Sequence, residues 1–171
     1  MNERERFVAV ANDCKSQVTF DPAFVDSYRL IGYENRVMAN EDFENDKADA
    51  AEIGAGQTIT ALYEIIPVSG ADVQSAGKFD FRYKKALGSE SIPLGIDIPS
   101  VTESPSDNFW FAASLASFGM TLRDSQYKGT SSVDMAIDLA TRSQKSGFDP
   151  YSYRSEYMSL LSMAKELVKE Q

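Results

Sequence analysis

The sequence contains no histidine and one cysteine, Cys14. The missing histidine removes the commonest general base, the commonest metal ligand and every Ser-His or Cys-His nucleophile pairing. One thiol forms no internal disulfide and no thiolate zinc site. Standing between Asp13 and Lys15, Cys14 reads as a passive strand residue, and it leaves the redox compartment open. Positive charge is scarce: 17 basic against 26 acidic side chains give a formal net charge of −9. Nucleic acid, which needs a basic stripe to displace phosphate counterions, and an anionic membrane surface are excluded as partners. No apolar run approaches the ~18 residues of a membrane span. Residues 1–6 (MNERER) carry charge and no hydrophobic stretch. The abrupt entry into an apolar segment at Phe7 suggests an excised piece, with any leader lying outside it.

What is present is the composition of a folded protein, with 43% apolar and 25% charged residues in 171. The first half alternates with period two. Ser16, Val18 and Phe20 alternate with Lys15, Gln17 and Thr19. Asp21–Pro22 breaks this strand, and residues 28–34 form the next. Residues 58–66 read as a third strand, with Ile59, Ala61, Tyr63 and Ile65 on one side, ended by Pro67 and Gly70. Phe79, Phe81 and Tyr83 mark a fourth, and Ile92, Leu94, Ile96 and Ile98 a fifth. Pro93 cannot donate to a ladder, which puts that fifth strand at a sheet edge. Residues 7–11 offer a sixth strand. Strands that follow one another without intervening helices imply antiparallel pairing.

The second half changes period. Residues 104–107 (SPSD) supply a cap and a proline, and residues 108–122 carry no charge. Two stripes run along that helix, Phe109, Ala113, Ala116, Met120 and Phe111, Leu115, Phe118, Leu122. A helix so apolar is expected to lie between the sheet and the later helices. Ser131 or Ser132 caps a second helix with Val133, Ala136, Ile137 and Ala140 inward, and with Asp138 and Arg142 four apart on the wet side. Gly147 fits its left-handed terminus, and Asp149–Pro150 opens a third helix. The buried face expected there is Tyr153, Tyr157, Leu160, Leu161, Ala164, Leu167 and Val168. The fold class is therefore α+β: an antiparallel β-sandwich or sheet of five to six strands followed by three packed C-terminal helices. Residues 1–171 form a single domain, with a β-rich part at 1–103 and a three-helix part at 104–171.

Candidate chemistry is thin. The connection at residues 35–56 is about twenty residues long and holds Glu41, Asp42, Glu44, Asp46, Asp49 and Glu52. Counted from Asp42, the EF-hand pattern fails, because Lys47 stands at its glycine and Ile53 at its final glutamate. A solvated acidic loop touching a neighbouring domain is the expectation. Gly54-Ala55-Gly56-Gln57-Thr58 lacks the phosphate-loop lysine and precedes a strand, so its glycines serve a turn. Nothing selects two of the many carboxylates for glycoside hydrolysis. Phe79, Phe81, Tyr83 and Trp110 have the spacing of core residues rather than of a stacking platform. The metal-adhesion motif Asp-x-Ser-x-Ser is absent. No catalytic, cofactor-binding or metal-ligating residue is assigned, and no cofactor.

Several separated blocks carry a resemblance. They are residues 28–36 (YRLIGYENR), 40–43 (NEDF), 53–56 (IGAG) with Thr58, and 60–64 (TALYE). Further on come residues 118–120 (FGM), 122–125 (LRDS) and 153–157 (YRSEY). In this order they resemble the C-terminal domain of YfbK-like bacterial proteins that contain a von Willebrand factor type A (VWA) domain. The resemblance covers nearly the whole chain. Gln57 departs from it, standing where a histidine is expected in many relatives. The resemblance implies an upstream VWA domain in the same chain as partner and an extracytoplasmic location, in the periplasm or cell envelope, as a lipoprotein. It implies no enzymatic residue. The function expected is a non-enzymatic accessory domain mediating contact with a protein ligand, or, alternatively, a glycan- or peptide-binding module using a sheet face.

Overall fold

Alternating residues in the first half place one side of each strand against neighbours, and the chain pairs them in antiparallel ladders. In a computed structural model, residues 9–32, 37–48, 50–71, 75–100 and 104–169 are described. Six strands occur among them: β1 (Ala9–Phe20), β2 (Val25–Ile31), β3 (Ala51–Gly54), β4 (Leu62–Pro67), β5 (Ser75–Lys84) and β6 (Ile92–Pro99). A four-stranded sheet has the order β3-β1-β5-β6, and β2 and β4 form a separate two-stranded ribbon. Every pairing is antiparallel. The chain divides into two compact units, Met1–Thr102 and Glu103–Gln171.

The strand expectations hold in number and shift in extent. Residues 9–11 of the segment expected at 7–11 and the segment expected at 15–20 belong to one strand, β1, whose register slips between Ala11 and Cys14; residues 7 and 8 lie outside the described residues. Asp13 sits there at φ 50°, a left-handed value that aspartate tolerates, and a bulge of this kind re-aims side chains without ending pairing. The expected second strand begins three residues earlier and ends at Ile31, where Gly32 takes φ 71°. Its tail, residues 33–34, lies outside the described residues. Residues 58–61 are not in a strand; β4 starts only at Leu62, and Ile59 is exposed. The alternation there extends past the last β2–β4 pair, Ile31 and Leu62, and those residues have no ladder partner among the described residues. β3 arises inside the segment expected to be a loop, because pairing with β1 satisfies its backbone. β6 is an edge strand, as Pro93 required.

The ribbon meets the larger sheet at the end of β1. Asp21 N–H donates to the Ala76 carbonyl at 2.9 Å, and Val68 N–H donates to the Phe24 carbonyl at 2.7 Å. Phe20 packs against Tyr28 and Tyr63 at centroid distances of 4.6 and 5.5 Å. Gly77 makes the corner possible. Its φ is 150°, and a Cβ there would lie 2.2 Å from the Thr19 carbonyl oxygen.

In the second unit, Ser106 and Ser132 cap α1 (Asp107–Leu122) and α2 (Val133–Arg142) by accepting from Phe109 and Met135 N–H. Gly147, at φ 67°, turns the chain after α2. Asp149 accepts from the N–H groups of Arg154 and Ser155 at the start of α3 (Tyr153–Lys169). The core is Ala136, Ala140, Tyr157 and Leu161, flanked by Phe111, Phe118, Ile137 and Met158.

Two side-chain expectations are corrected here. On α1 the buried residues are Ser114 and Ser117, neither of them in the apolar stripes. Small side chains sit where α1 comes closest to its neighbours, and Phe111 and Phe118 of the second stripe pack half-buried against Tyr157 beside them, while Leu115 and Leu122 are exposed. On α3, Tyr153, Leu160, Leu167 and Val168 are exposed, and the buried positions are Tyr157 and Leu161 with Ala164 half-buried. The two-helix surface offered by α1 and α2 is narrower than the apolar width of α3.

Candidate interaction surfaces

The polar face of the larger sheet carries Lys15 and Gln17 from β1 and Lys78, Asp80, Arg82 and Lys84 from β5, placed there by the shared register. Lys15 and Lys84 are buried, which is rare for lysine unless the ammonium is paired. Asp13, re-aimed by the bulge, lies 2.6 Å from Lys84 Nζ and 3.9 Å from Lys15 Nζ. The remaining ammonium donors reach the acidic segment. Lys15 Nζ donates to the Asn45 carbonyl at 2.5 Å, and Lys84 Nζ to the Asp46 carbonyl at 3.2 Å. Arg82 stands 3.8 Å from Asp46, and Gln17 donates to Asn40 Oδ1 at 3.3 Å. The hydrogen bond to Asp13 holds the Lys84 ammonium above the usual lysine range. The acidic segment is thus a strap across the sheet, and the chain's own lysines supply its cations.

Among the described residues, no three acidic or thiol side chains stand together in a manner that fits a metal ion. Asp42 accepts from Asn45 within the strap, Glu52 lies on β3, and Asp49 is outside the described residues. The glycine-rich turn is closed by Gln57. Its Oε1 accepts from Gly54 N–H at 2.9 Å, and its own N–H donates to the Gly54 carbonyl at 3.1 Å. An open cleft of about 380 Å³ remains between strap and sheet, with Glu41, Phe43 and Glu44 on one wall and Lys78, Asp80 and Arg82 on the other. Asp80 and Lys78 pair at 2.8 Å across the space left by Gly95. Burial pushes the Cys14 thiol up, away from the reactive thiolate.

The opposite face is apolar. Val18, Phe79, Phe81 and Tyr83 line up with Ile92, Leu94 and Ile96 of β6. The three rings of β5 stack nearly parallel, 6.5 and 6.0 Å apart, and are half-buried. Leu94 and Ile96 are 54% and 66% exposed. Half-burial leaves part of each ring in contact with solvent. In the helical unit, Trp110 lies under the Arg142 guanidinium, 5.2 Å from its centroid. Sequence reasoning missed the Lys15–Lys84 clamp, because its partners are 30 and 38 residues away.

Among the described residues, no helix is long and apolar enough to cross a membrane. The family described as the C-terminal region of the uncharacterised protein YfbK matches residues 5–80 and 71–167. The Escherichia coli (strain K12) protein of that description is 34% identical over an alignment covering 94% of this chain. The chain spans 31% of that relative's length. No solved structure matches. The blocks seen in the sequence and these matches agree, and the chain belongs to the family of YfbK C-terminal domains.

Proposed function

We propose that this is a non-enzymatic accessory domain that makes protein–protein contacts beside a VWA domain in a bacterial envelope protein. The observation that carries the proposal is the apolar β5–β6 face, where Leu94 and Ile96 are exposed next to the half-buried ring ladder. Covering either side chain would contribute about 1–2 kcal/mol, a scale suited to a packed interface. The remaining length of the E. coli relative offers a covering body within one polypeptide, and the resemblance suggests that this body is a VWA domain. In this reading the domain holds the VWA surface in place and helps present it to a protein ligand. On the polar face, the cleft wall formed by β5 carries the Lys78–Asp80 pair and Arg82, groups suited to polar contacts with a partner. The half-burial of the three β5 rings works against the glycan alternative, which needs open ring faces.

The test is calorimetric titration of this chain with the VWA domain of its own polypeptide. Leu94→Lys and Ile96→Lys, both at exposed positions, are expected to weaken binding roughly 10-fold or more each while leaving the melting temperature unchanged. Binding unaffected by both substitutions would remove the β5–β6 face from the proposal, and absence of binding would remove the VWA domain.

A further inference from the structure

Among the described residues the sheets have four strand edges, and three of them are guarded. β3 has only four residues. β4 has six and ends in Pro67. On β6, Pro93 and Pro99 are six apart and so share one parity. Neither has an N–H, and both point their nitrogen away from β5, which interrupts the outward row of donors.

β2 differs. Its seven residues, VDSYRLI, contain no proline, glycine or lysine. Hydrogen-bonded and non-bonded pairs alternate along an antiparallel ladder. Val68 N–H bonds the Phe24 carbonyl, and Pro67, opposite Val25, falls on a non-bonded position. Counting along β4 from there, Ile65 and Tyr63 are non-bonded as well. Their partners Tyr28 and Leu30 therefore turn N–H and C=O outward, away from β4. No described strand lies on that side. A two-stranded ribbon is at best marginally stable alone, and this one is anchored mainly at the Phe20, Tyr28 and Tyr63 rings.

We infer that the outer edge of β2 receives an extended strand from the N-terminal part of a longer polypeptide, through the backbone groups of Tyr28 and Leu30. Strand addition to an open edge draws its affinity from main-chain hydrogen bonds and so needs no pocket. The E. coli relative has the length to supply it, since this chain spans 31% of that protein, and the family is its C-terminal region. A second copy is a poorer occupant. Each copy carries a net charge of −9, and a two-fold pairing that sets Tyr28 against Leu30 of the other copy, using both pairs of outward groups, places Arg29 opposite Arg29. The inference concerns a different surface from the β5–β6 face, and either can fail alone.

Amide hydrogen exchange at Tyr28 and Leu30 tests it, in this chain and in its full natural polypeptide. Both amides are expected to exchange at close to open-edge rates in this chain and roughly 100-fold or more slowly in the full polypeptide. Leu30→Pro removes an outward donor and leaves the β2–β4 ladder bonds in place, so this chain should stay folded, its melting temperature lowered only by the smaller side chain at a half-buried position. The full polypeptide carrying Leu30→Pro should lose the protection at Tyr28. The inference is overturned by equal protection in both forms, by a natural polypeptide without further sequence, or by a dimer of this chain that Leu30→Pro dissolves, which would make the occupant a second copy.

Discussion

Two serines on one face of α1 should respond to the same substitution with opposite signs. Ser114 and Ser117 are both buried, one turn apart, where α1 meets its neighbours. Ser114 Oγ donates to the Ala136 carbonyl at 2.6 Å and lies 3.1 Å from the Tyr157 hydroxyl. Ser117 Oγ has no hydrogen-bond partner among the described residues. A buried hydroxyl left unsatisfied costs about 1–3 kcal/mol, and alanine is the better helix former by up to about 0.5 kcal/mol. Ser117→Ala should therefore stabilise by about 1–2 kcal/mol, with a small loss of packing offsetting part of the gain. Ser114→Ala leaves the Tyr157 hydroxyl unpaired in the core and should destabilise by about 1–3 kcal/mol. In a domain of 60–100 residues each kcal/mol moves the midpoint by about 4–8 °C. Trp110, the one tryptophan, lies on α1, so its fluorescence reports the helical unit during thermal or urea unfolding. The reasoning fails if Ser117→Ala destabilises by more than about 0.5 kcal/mol, or if both variants shift the midpoint in the same direction.

Other outcomes follow from single contacts. Gly77→Ala should cost about 3 kcal/mol or more, read by urea titration, because its Cβ would press on the Thr19 carbonyl 2.2 Å away at a φ closed to side chains. Leu161→Ala, at a position with no exposed surface, should cost about 2–5 kcal/mol in the same assay. Lys15→Met with Lys84→Met should release the strap, seen as faster proteolysis within residues 40–48 while strand amides stay protected. The pH dependence has two arms. Side-chain and backbone hydrogen bonds from Ser146 hold the Asp107 carboxyl below its usual value. Its contribution is thus present above pH ~4 and lost as pH falls through the lower folded value. Asp107→Asn should flatten the acid limb of a melting series. Lys84, raised chiefly by its hydrogen bond to Asp13, contributes fully below pH ~10.5 and loses that contribution as pH rises through the higher folded value.

The amino-acid order by itself determined the elements that depend on neighbours in sequence. Ser106, Ser132 and Asp149 cap the helices they precede, Gly147 takes a left-handed turn between α2 and α3, and Phe79, Phe81 and Tyr83 share one side of β5. Caps, left-handed turns and period-two alternation act over a few residues, so they are legible without knowing what packs where. The same is true of Pro93, whose missing donor confines β6 to an edge. Tertiary structure decided the rest. It buried Ser114 and Ser117 fully while leaving Phe109, Leu115 and Leu122 of the apolar stripes exposed, merged two expected strands into one bulged β1, and built β3 from a segment that looked like a loop. It also turned a run of acids into a strap fastened by Lys15 and Lys84. Each of these outcomes depends on which distant backbone group or side chain lies within about 3 Å, and chain order does not encode such distances locally.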